Sequence, residues 1–170
     1  RGAQIFVQAS GGTYLALHNG VPTGFSPLKA LANRAEDKSF LSLFIRQLVR
    51  ADGKPISVQE ERLIEDGINA VMKLDVADRS LSALRSMLGM KDSSGVGARL
   101  EKWTSEGSLG WVFDNPADSM TLDARFIGFD MTDFLDNADI RTPVMLYLFH
   151  RIDQLLTGER MVICIDEFWK

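Results

Sequence analysis

The sequence predicts an α/β domain with a mainly helical insertion. Three observations carry this. Residues 161–165, Met-Val-Ile-Cys-Ile, form an apolar, largely β-branched run that suits a strand buried on both faces of a parallel sheet. Residues 33–104 show apolar side chains at helical spacing, punctuated by cap and breaker residues. Residues 107–170 return to strand–helix–strand patterning. The boundaries read as a small αβ segment over 1–32, a helical subdomain over 33–106 and a β-α-β return over 107–170, within one fragment.

Composition narrows the classes. The 170 residues are 45% hydrophobic, enough for one sizeable core. No apolar run approaches the ~20 residues of a membrane span, and the N-terminus is not a secretory signal. A start at Arg1-Gly2-Ala3, in mid-pattern and without Met, suggests a piece cut from a longer chain. A net charge of −4 argues against a strong grip on nucleic acid, which needs Lys and Arg to displace counterions. The one cysteine, Cys164, lies in the apolar run and reads as a small buried hydrophobe rather than a catalytic thiol.

Along the chain, residues 1–10 have near-helical spacing, stopped by Gly11-Gly12. Tyr14 to Leu17 reads as a short strand ending at the turn pair Asn19-Gly20. His18, at that turn, has no second His or Cys placed to share a metal and reads as solvated. Asn33-Arg34-Ala35-Glu36 and Ser57-Val58-Gln59-Glu60 both have capping-box spacing. Helices are expected after each, a third from about Ser80 to Leu88 ending at Gly89, and a fourth from Gly95 to Thr104. Their common core is expected at Phe40, Phe44, Leu48, Leu63, Ile64, Val71, Leu84 and Trp103. Arg46 and Arg50, one turn apart, could form a basic strip, although nearby acids favour a solvated face.

Trp111-Val112-Phe113 reads as a short apolar strand, Asp114-Asn115-Pro116 as a turn, and residues 122–131 as a strand. Asp130 ends that strand as either a second acid near a ligand or, the favoured reading, a cap for a helix starting near Thr132. Pro143 suits the first turn of a helix that runs to about Leu156, with Leu146, Phe149, Ile152, Leu155 and Leu156 facing the core.

The candidate chemistry lies at Asp166 and Glu167, which follow the apolar run. In open α/β sheets, ligands bind beyond the carboxyl ends of the strands. An acid there can hold Mg²⁺ through its water shell, and a following Glu can orient or deprotonate the attacking water. A core strand that reaches solvent at two acids would look the same. The sequence contains no phosphate loop: Gly53-Lys54 precedes Pro55 and lacks the glycine five positions earlier, and Ser94-Gly95-Val96-Gly97 lacks the lysine.

Several stretches, in order, resemble one family. Asp166-Glu167-Phe168-Trp169-Lys170 is similar to the acidic motif of the conjugative-transfer ATPases of type IV secretion systems, the family of the fourth VirB component. Arg1-Gly2-Ala3, Gly11-Gly12-Thr13-Tyr14 and Pro22 through Pro27 resemble the segment after that family's first nucleotide-binding strand. Gly110 to Pro116 and Gly128 to Thr132 match two internal segments. Arg141-Thr142-Pro143 and Tyr147 to Ile152 match the helix that leads into the acidic strand.

The resemblance implies a partial RecA-like P-loop NTPase domain, with ATP and Mg²⁺ as cofactors of the complete protein and neither expected on these residues alone. It implies Asp166 as the metal residue, through water, and Glu167 as the catalytic acid. It further implies a homo-oligomer working with other secretion components at the cytoplasmic face of the bacterial inner membrane. Arg125 or Arg151 could reach a neighbouring subunit's phosphate, with a helix salt bridge favoured for Arg151. His150 reads as a helix residue at the core edge. Two alternatives remain open at this point: another RecA-like ring motor such as a DNA translocase, and a helical interaction module without chemistry.

Overall fold

A computed structural model describes residues 2–50, 55–89, 92–156, 158 and 161–165. The elements in order are α1 (Gly2–Ala9), β1 (Thr13–Ala16), α2 (Pro27–Ala30), α3 (Ala35–Leu48), α4 (Val58–Val71), α5 (Leu81–Leu88), α6 (Val96–Leu100), α7 (Gly110–Phe113), β2 (Ile127–Asp130) and α8 (Ala138–Asp153). Single 3₁₀ turns occur at Val76–Asp78, Glu101–Trp103 and Thr132–Phe134. The chain divides into two compact units: an αβ unit, Arg1–Asn19 with Leu122–Lys170, and a helical unit, Gly20–Thr121.

In the helical unit, sequence pattern and structure agree closely. Ser57 caps α4 in a full capping box, its side chain accepting from the Glu60 amide while the Glu60 carboxylate accepts from the Ser57 amide. Ser80 caps α5 by accepting from the Ala83 amide, and Gly89, at φ +89°, ends it. One apolar stripe per helix faces inward: Leu41, Phe44, Ile45 and Leu48 from α3, Ile64, Ile68 and Val71 from α4, Leu81, Leu84 and Leu88 from α5. Gly67 lets α4 approach α5, because a Cβ there would lie 2.9 Å from Leu88 Cδ2. Phe44 and Trp103 both pack on Phe113, with ring centroids 5.0 and 5.7 Å apart. The Trp103 indole donates to the Leu48 carbonyl at 3.0 Å.

Polar side chains close the ends. Asp114 accepts from the amides of Leu81, Ser82 and Ser105 and from the Ser82 hydroxyl. Buried Asn115 donates to the Phe25 carbonyl at 2.9 Å, and Asp118 accepts from the Ser26 amide. Arg79, buried, donates to the Leu74 and Leu31 carbonyls.

Within this unit three expectations are corrected. The spacing at 33–36 does not make a capping box; Arg34 holds the cap position of α3 without a side-chain cap bond. Instead the Asp37 carboxylate accepts from the Ala32 amide and pairs with Arg34, which leaves Glu36 free to face outward. Leu63 is exposed, because Ile64 and Ile68 already fill the inward face of α4. Trp111-Val112-Phe113 belongs to α7 and not to a strand; an apolar run that short does not separate helix from strand by period. Among the described residues of 33–104 there is no strand, as expected.

In the αβ unit, β1 and β2 pair in parallel, Thr13 opposite Ile127 through Ala16 opposite Asp130. The ladder extends at both ends, through Thr13 N–H to the Phe126 carbonyl and Leu17 N–H to the Asp130 carbonyl, each 2.9 Å. Gly11, at φ +72°, turns the chain from α1 into β1, and a side chain at Gly12 would run into the Phe126 carbonyl. The small core contains Val7, Leu17, Phe134, Ile140, Val144, Tyr147 and Leu148.

Here the pattern misleads more often. Strand pairing covers only the last part of 122–131. Pro143 sits in the second turn of α8, which begins at Ala138 with Asn137 as its cap. It has no N–H to donate to the Asp139 carbonyl, and the helix passes it without ending. The buried face of α8 is Ile140, Pro143, Val144, Tyr147 and Leu148; Phe149 and Leu156 are exposed, because α8 starts earlier and is turned differently from the expected helix. Residues 161–165 form no strand and are exposed. A strand exists only through bonds to a neighbour, and the sheet among the described residues contains only β1 and β2.

Candidate functional site

Parallel strands bring their carboxyl ends to one edge, and β1 and β2 do so at Ala16 and Asp130. The Asp130 carboxylate is held there by three donors. The Thr132 hydroxyl and amide donate to Oδ1 at 2.6 and 3.1 Å, and the Tyr14 phenol donates to Oδ2 at 3.2 Å. The Thr132 bonds, with a smaller contribution from Tyr14, hold its pKa below the usual Asp value. Partial burial and the adjacent carboxylate raise that of Tyr14. Asp130 thus accepts from the Thr132–Phe134 turn that follows it, but it is not the helix cap that the favoured reading expects: Met131 holds the cap position of that turn without a side-chain cap bond, and the next helix, α8, is capped by Asn137.

Next to it on the chain, Asp133 Oδ2 lies 3.0 Å from His18 Nδ1, and the Asp133 carbonyl accepts from Asn19 at 2.9 Å. His18 is thus paired, although exposed. Sequence reasoning missed Tyr14 and Asp133. The detectable signal for Tyr14 was Gly128, which stands opposite it in the register and leaves room for the ring.

Asp166 and Glu167, the expected metal and catalytic acids, lie outside the described residues, as does the Gly53-Lys54 pair. The other candidates are accounted for by local contacts. Arg46 donates to Glu61 at 3.1 Å and to the Ser42 carbonyl, while Arg50 is exposed, so the two do not make a basic strip. Arg151 donates to the Tyr147 phenol at 2.8 Å and lies over its ring, an arrangement one helical turn long. Arg125 lies 5.8 Å from the centre of the Phe126 ring. His150 Nε2 lies 3.4 Å from Gln154 Nε2 on the same helix. Cys164 is exposed, contrary to the buried thiol expected, because the run that carries it pairs with no strand among the described residues.

Among the described residues no group of three or more His, Cys, Asp or Glu side chains could hold a metal ion. No described helix is long and apolar enough to cross a membrane.

The whole chain is similar to a segment of virB4 proteins. It is 48% identical over 170 residues to the type IV secretion system protein virB4 of Bartonella henselae. It is 40% identical over 169 residues to protein virB4 of Agrobacterium fabrum, and 37% identical over 182 aligned positions to the type IV secretion system protein virB4 of Brucella abortus. These alignments cover 99–100% of this chain but only 21–22% of the relatives, so the chain spans about a fifth of their length. No protein-family model matches the chain. The resemblance read from the ordered motifs to the family of the fourth VirB component is thereby borne out over the full 170 residues.

Proposed function

Proceeding from that whole-chain match to a segment of the virB4 proteins, we propose that this chain is part of an ATPase that energises type IV secretion or conjugative transfer. The αβ unit is then part of a RecA-like nucleotide-binding domain, and the helical unit is its insertion. The observation that carries the reading is the match from end to end at up to 48% identity. The parallel pairing of β1 and β2 supports it, since such sheets present ligands at their carboxyl edge. So does the acid pair that follows the apolar run at 161–165.

In this reading Asp166 holds Mg²⁺ through water and Glu167 polarises the water that attacks the γ-phosphate of ATP. The two acids are adjacent in sequence, so on a continuing strand they would point to opposite faces. Both serve one nucleotide only if the chain turns at the sheet edge. The complete protein would act as a homo-oligomer with other secretion components at the cytoplasmic face of the inner membrane.

The test is steady-state ATPase rate beside nucleotide affinity for the complete protein. Glu167→Gln keeps shape but removes the charge. It is expected to lower turnover by about 10²–10⁴-fold, the usual size of a general-base contribution, with ATP binding largely kept. Asp166→Asn is expected to weaken Mg²⁺-dependent binding as well as turnover. Hydrolysis at the unmodified rate by Glu167→Gln would remove Glu167 from the hydrolytic step.

A further inference from the structure

No further inference is drawn: the strongest candidate, the Tyr14, Asp130, Thr132, His18 and Asp133 cluster at the carboxyl ends of β1 and β2, is an acidic edge whose described hydrogen bonds close within the cluster and its own turns, and nothing in the structure points to a ligand there.

Discussion

The helical unit and the αβ unit bury their apolar residues to very different degrees. In the helical unit Phe44, Ile45, Ile64, Leu84 and Leu100 are all fully buried, and Asp114, Asn115 and Arg79 close the polar ends of the elements around them. In the αβ unit both strands are only partly buried, Ile5 and Phe6 of α1 are 67% and 60% exposed, and Val162 is 86% exposed. The difference follows from where each element finds its hydrogen bonds. A helix satisfies its backbone internally and needs only one packed face. A parallel strand takes its hydrogen bonds from neighbouring strands, and parallel sheets are usually covered on both faces. The helical unit meets its requirement within 102 consecutive residues, whereas β1 finds its partner more than 100 positions away.

Deleting core volume should separate the units most sharply. Phe44→Ala removes a fully buried ring that packs on Phe113, and is expected to cost about 3–5 kcal/mol of unfolding free energy, read from urea midpoints. A loss under about 1 kcal/mol would mean that the helical core is looser than its packing indicates.

Asp114→Ala comes next. It strips the acceptor from the Leu81 and Ser82 amides at the start of α5 and from the Ser105 amide in the turn after Glu101–Trp103, and a loss of about 2 kcal/mol is expected in the same experiment. Retained stability would show that water replaces the carboxylate without cost.

The smallest effect concerns pH. Glu60 has its pKa lowered, first by the Ser57 amide and then by the Ser57 hydroxyl and Arg99, against an opposing burial contribution. A depressed carboxylate contributes stability that is present above its unfolded pKa of about 4.3 and is lost as pH falls through the folded value. The helical unit of the unmodified chain should therefore weaken more than that of Glu60→Gln as pH falls below about 4.3. Parallel acid dependence of the two proteins would remove Glu60 from this role.

What was legible in the sequence follows the same division. Ser57 with Glu60, Ser80 with Gly89, and the stripe of Phe44 and Leu48 were readable because cap and period are local. The inward turn of α8 was not, since Ile140, Val144 and Tyr147 compete with Leu146, Phe149 and Ile152 for the core, and only tertiary packing chooses. Residues 161–165 have strand composition but no strand geometry here, because composition cannot supply the neighbour a strand requires. Of the site, the acid at Asp130 at the end of its strand was legible, while its bond to Thr132 without a cap position, the Tyr14 bond across the ladder and the His18–Asp133 pair depend on backbone geometry, on register and on contacts over 115–116 positions.

Native-state hydrogen exchange on the 170-residue chain tests the contrast most directly. The amides of Val49, Met72 and Leu84, bonded to Ile45, Ile68 and Ser80, report the helical unit. Those of Thr13 and Leu17, bonded to Phe126 and Asp130, report the β1–β2 ladder. Protection is expected to be at least about tenfold greater in the helical set, a gap of about 1.4 kcal/mol in opening free energy. Equal protection, or slower exchange at Thr13 and Leu17, would contradict the view that the helical unit is the self-sufficient part of this chain.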